Sequence, residues 1–92
     1  MTNDQIFEAL REIVTLARTD PAARCEFDLP LLCGWRHRSE LGAMVNRARS
    51  AGAVVSLAET GQDMGRTYYQ VTAYGSAEAL KDVANFILAV AS

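Results

Sequence analysis

The chain has no cysteine pair at CxxC spacing, no internal repeat, no low-complexity segment and no apolar run near the roughly 18 residues a membrane helix needs. It has one histidine, His37, and two cysteines, Cys25 and Cys33, eight positions apart. Each absence removes a class of function. Cys25, Cys33 and His37 lack a recognisable metal-ligand spacing, so no metal site is expected. Cys33 and His37 would share a face only on a continuous helix, and Gly34 interrupts one. No third group is evident to orient such a pair, so nucleophilic catalysis is not expected either. The sequence reads as a non-enzyme that needs no cofactor. Its start, "MTNDQIFEAL", is acidic and has no signal-peptide pattern. A cytoplasmic protein is expected, with both cysteines as small, mostly buried thiols.

What is present bounds the fold. Ninety-two residues make one domain, 1–92. A chain of this length buries only about 60–65% of its unfolded surface. Half of its residues are hydrophobic and the net charge is only −2, which argues against disorder.

Charge is unevenly distributed. Residues 1–23 and 53–92 are each acidic, whereas 24–52 hold five arginines against Glu26, Asp28 and Glu40. The stretch "GWRHRSELGAMVNRARSAG", 34–52, holds four arginines against Glu40 alone. A phosphate backbone responds to the nearby face more than to overall charge, because salt screens the rest.

Periodicity gives the elements. Ile6, Phe7, Leu10, Ile13, Val14 and Ala17 recur at helical spacing, with Thr2 or Asn3 as cap and "TDP" at 19–21 as stop. Residues 22–33, "AARCEFDLPLLC", fit either a short helix restarted near Pro30 or an extended "CEF" followed by a helical turn. Ser39–Ala51 reads as a helix with Leu41, Met44, Val45 and Ala48 buried, closed by Gly52 in a left-handed cap. "AVVSLAET" and "RTYYQVTA" read as two strands joined across "GQDMG", with Val55, Leu57, Tyr69 and Val71 facing inward. Ser76 caps a last helix that is apolar on more than one face. Either a second copy covers it, or the small core uses both of its sides. Trp35 is expected as a core or hinge anchor, and Tyr68, Tyr69 and Tyr74 as packing groups.

Taken together, "LLCGW", "RHRSELGAMVNRARSAGAVV" and "AETGQDMGRTYYQVTAYG" resemble a winged helix-turn-helix domain of the MarR-type or small bacterial regulator form. The resemblance covers roughly residues 29–80. It implies an α+β fold of helices followed by a two-stranded wing hairpin and a C-terminal helix. It implies a small DNA-binding transcriptional regulator with helix 39–51 as recognition helix and hairpin 53–73 as wing. On that reading Arg38 and Asn46 read bases in double-stranded DNA, and Ala43, with Gly42, permits close approach. Arg36, Arg47 and Arg49 contact phosphates, Arg66 adds a backbone or minor-groove contact, and His37 and Ser39 lie beside them. A homodimer through the terminal helices would read two half-sites.

A second order stays open. If "CEFDLPLLC" is a strand, the chain runs β-α-β-β-α, like a truncated ferredoxin-like sheet. The protein is then an interaction module or a small phage- or plasmid-type inhibitor that binds a protein rather than DNA. The state of residues 25–33 separates the two orders.

Overall fold

The computed structural model describes residues 3–91. In chain order they form α1 (Asn3–Thr19), β1 (Arg24–Gly34), a 3-10 turn (Trp35–His37), α2 (Arg38–Ser50), β2 (Val54–Asp63), β3 (Arg66–Ser76) and α3 (Ala77–Ala91). The cap expected from Thr2 or Asn3 lies outside the described side chains.

Residues 24–34 are a strand. Phe27, Leu29, Leu31 and Cys33 are buried, and Glu26, Asp28 and Pro30 alternate with them in solvent. This period of two decides the ambiguous segment. Pro30 is tolerated because β1 lies at a sheet edge, where a missing N–H need not break an internal ladder. β1 pairs antiparallel with β3 from Arg24↔Ser76 to Gly34↔Arg66. β3 also pairs antiparallel with β2, giving a three-stranded sheet of order β1-β3-β2.

The winged-helix expectation is therefore corrected. Where the second helix of a helix-turn-helix would stand, the chain has a strand. The 53–73 hairpin is not a free wing either, because β3 is the central strand of the sheet. β1, α2 and β2 form a split β-α-β unit with β3 inserted between its strands. The architecture is a helical layer on one face of an antiparallel sheet.

Each helix reaches the same core. Leu10 and Ile13 of α1, Leu41, Val45 and Ala48 of α2, and Leu80, Val83, Ala84 and Ile87 of α3 pack with the inward side chains of the strands. α3 lies between α1 and α2 over the sheet, with contacts to both helices and to β1 and β3. That position uses the apolar flanks of α3 within one chain. The first N–H groups of α3 find acceptors outside the helix: Ala77 donates to the Ala23 carbonyl and Glu78 to that of Pro21. Ser76 Oγ accepts from the Ala79 N–H at 3.1 Å, as an N-cap does.

One turn, one register shift and one close approach fix the sheet. Met64 and Gly65 both have positive φ, 50° and 81°, as a two-residue hairpin turn matched to strand twist requires. β2 has a register shift between Glu59 and Gly61. Gly75 is buried, and a Cβ added there would lie 2.8 Å from the Ala53 Cβ. Only glycine lets the chain after α2 approach β3 this closely. Among the described residues no helix is long and apolar enough to cross a membrane.

Candidate functional site

Several of the positions expected to meet DNA make contacts within the chain. Arg49 turns back onto the sheet: its Nε and Nη2 donate to the Val55 carbonyl oxygen at 3.1 and 2.7 Å. That carbonyl belongs to β2, an edge strand, and the guanidinium covers it. Arg38 lies against Tyr69. A hydrogen bond to the tyrosine oxygen, then attraction to Tyr69 and Glu59, raises its pKa above the ordinary arginine value. Arg66 pairs with Asp63 at 3.4 Å at the base of the hairpin turn. His37 Nδ1 is 3.6 Å from Glu40, and its ring meets Phe86 edge-on with centroids 6.4 Å apart. Ser39, Ala43, Asn46 and Arg47 are exposed on α2. Arg36 is exposed too, its guanidinium 5.4 Å from the centroid of Trp35.

The cysteines are held as neutral thiols. Burial raises the pKa of Cys25, reinforced by Glu12 and Asp20. Burial also raises that of Cys33, with Arg38 pulling it down and Glu40 pushing it up. Neither has the electropositive setting of a reactive thiolate. Among the described residues no group of three His, Cys, Asp or Glu side chains could hold a metal ion, and no buried polar side-chain atom lacks a hydrogen-bond partner.

The informative surface is the sheet face opposite the helices, which no described element covers. Register defines its rows. Glu26, Tyr74 and Val54 make one; Asp28, Thr72 and Ser56 the next; then Pro30, Gln70 and Ala58; then Leu32, Tyr68 and Gly61. Asp28 is fixed by hydrogen bonds from Gln70 Nε2 and Thr72 Oγ1. The Arg24 guanidinium lies 5.6 Å from the Tyr74 ring centroid.

Past the last row, where β1 ends and the β2–β3 hairpin turns, sit two strongly exposed large side chains. Trp35 is 68% exposed and Met64 93%. Trp35 is held near the turn, its Cδ1 3.7 Å from where a Cβ on Gly65 would be. Tyr68 is exposed beside Leu32. Trp35 is thus neither a core nor a hinge anchor, and Tyr68 and Tyr74 show much of their rings to solvent. Alternation alone could have placed Tyr68 and Tyr74 opposite Val71. Nothing local marks that face as uncovered.

Comparison with protein-family models, curated proteins and solved structures finds no match for this chain.

Proposed function

We propose that this chain is a small protein-interaction module that binds a partner protein through the uncovered sheet face, centred on Trp35, Met64 and Tyr68. One observation carries the reading: a domain with a thin core leaves Trp35, Met64, Tyr68, Tyr74 and Val54 in solvent, on or at the end of one uncovered surface. Exposed apolar groups are ordinary when scattered and informative when grouped. Trp, Tyr, Met and Arg are the types enriched where protein interfaces bury their centres, and Arg36 and Arg66 stand beside the aromatic groups here.

Charge points the same way. On the uncovered face Glu26 and Asp28 offset Arg24 and Arg66, so a polyanion gains no net attraction. Arg49 is tied to the Val55 carbonyl, and Glu40 offsets part of the charge of the exposed Arg36, Arg38 and Arg47. The two free cysteines fit a reducing cytoplasm.

The test is a photo-crosslinking residue at position 64, used in the cells that make the protein, followed by titration of the captured partner in purified form. Trp35→Ala should weaken that pair by on the order of 2 kcal/mol, as removal of an interface anchor does. Folding stability should stay within about 0.5 kcal/mol, as for an exposed site. The proposal fails if no captured protein depends on Trp35. It also fails if the chain binds duplex DNA at physiological salt and loses that binding with Arg36→Ala and Arg47→Ala.

A further inference from the structure

Among the described residues β1 is an open edge of the split β-α-β arrangement. β1 is eleven residues long, pairs along its whole length with β3 on one side, and is the sheet edge on the other. The ferredoxin-like motif places its last strand beside β1. Here the chain passes from β3 into α3, and no described strand takes that place. The β2 edge is treated differently: Arg49 covers a carbonyl and a register shift disturbs the ladder. Pro30 alone blunts β1, and a single proline discourages indiscriminate pairing without erasing an eleven-residue edge.

We infer that the β1 edge accepts an extended segment of a partner protein as an added antiparallel strand, apolar in its first half and basic in its second. This rests on the interaction reading above and names the binding mode. The chemistry follows from what lines the edge. On the uncovered face β1 presents Arg24, Glu26 and Asp28, the two carboxylates outnumbering the one cation, then Pro30 and Leu32. An antiparallel strand starts beside Leu32 and ends beside Glu26. Cross-strand pairing then rewards apolar side chains first and cations after. On the helical side a cleft of about 210 Å³ lies between α1 and the start of β1, with Ile13, Leu16 and Cys25 on its apolar wall, Glu12 on α1, and Arg24 and Glu26 at its β1 rim. A lysine or arginine stem fits the apolar wall, with its head at Glu12.

A second copy fits less well. Two-fold pairing of β1 centred on Leu29 sets Asp28 beside Pro30 and Glu26 beside Leu32. Moving the centre to Phe27 sets Glu26 beside Asp28. Both put carboxylates against apolar groups or each other.

The experiment uses the full chain and a synthetic eleven-residue peptide, with valines at its first two outward positions, lysines at the next two and threonine between. The expected result is saturable binding with slowed hydrogen exchange at alternate amides of β1. Glu12→Lys with Glu26→Lys should weaken binding about tenfold. N-methylating the peptide at one set of alternate residues should abolish binding, while methylating the other set should not, because only one set faces β1. Equal binding by a glutamate-for-lysine peptide, or loss with both methylation sets alike, overturns the inference. So does protection of β1 that rises with protein concentration and no peptide, which would make the occupant a second copy. If the partner captured at position 64 binds but leaves β1 amides unprotected, strand addition falls and the interaction reading stands. If the peptide binds β1 and no partner depends on Trp35, strand addition stands and the face-centred reading falls.

Discussion

β1 and β3 present two faces built from the same eleven-residue strands, and the faces could hardly differ more. Beneath the helices lie Phe27, Leu29, Leu31, Val71 and Ala73, all buried. On the other side lie Glu26, Asp28, Thr72 and Tyr74, all exposed, with Trp35 and Met64 at the end. One face is committed to stability through small and aliphatic side chains that fill the space under α1, α2 and α3. The other spends aromatic rings and a methionine in water, where they contribute nothing to the core. Side chains of one size should therefore have opposite importance for folding and for binding, depending on which way the pleat turns them.

The largest expected effect breaks the comparison on the covered face. Leu29→Ala removes a buried side chain and leaves a cavity, costing about 2–5 kcal/mol. Tyr74→Ala, a larger deletion on the opposite face, should cost less than about 1 kcal/mol. Urea denaturation of the two variants measures the difference. Comparable losses would mean that the sheet face opposite the helices is covered in solution.

Gly75→Ala comes next. Its new Cβ would lie 2.8 Å from the Ala53 Cβ and 3.1 Å from the Ala53 Cα, and the backbone there cannot swing aside. Overpacking of this kind costs about 1–3 kcal/mol. Gly34→Ala meets nothing within 4 Å and should change stability little. Thermal unfolding of both variants checks the contrast.

Much of this fold is legible in the sequence, and the rest fails for definable reasons. α1, α2, the hairpin and α3 follow from local period and punctuation. Helix 39–51 is found one residue displaced, with Gly52 at φ 96° closing it as expected. Residues 24–34 stay ambiguous because Pro30 looks wrong for a strand until the strand is known to be an edge. Edge status depends on β3, about 40 residues away. The candidate site suffers more. Eight of its positions, all but Arg66, group only because they are close in sequence around one helix. The structure engages Arg38 with Tyr69 and Arg49 with Val55, which no spacing rule announces. Trp35 follows the strand-ending Gly34 and looks like an anchor, yet it stands beside the hairpin turn because register brings Gly65 to it.

A third contrast sets two neighbouring arginines apart. Arg49→Ala removes two charge-assisted hydrogen bonds to the Val55 carbonyl and should cost about 1 kcal/mol, since the pair is partly exposed. Arg47→Ala, two positions away and exposed, should stay within about 0.5 kcal/mol. Equal effects would remove Arg49 from the support of the β2 edge. The same variants bear on function, because a phosphate-binding helix would lose affinity with either arginine.

The smallest effect is a pH dependence carried by the thiols of β1. Burial raises the pKa of both Cys25 and Cys33 above the ordinary thiol value. The folded state therefore holds those protons more tightly than the unfolded chain. Stability from this source is fully present below the unfolded thiol pKa and falls as pH rises through the folded values, because the unfolded state then binds fewer protons. Denaturation midpoints should decline from about pH 8.5 upward. Cys25→Ser should remove part of that slope while leaving the plateau below it nearly flat, and Cys25 is the cleaner site because it is only half-buried. A midpoint that rises with pH over this window would mean that a thiolate is stabilised in the folded chain.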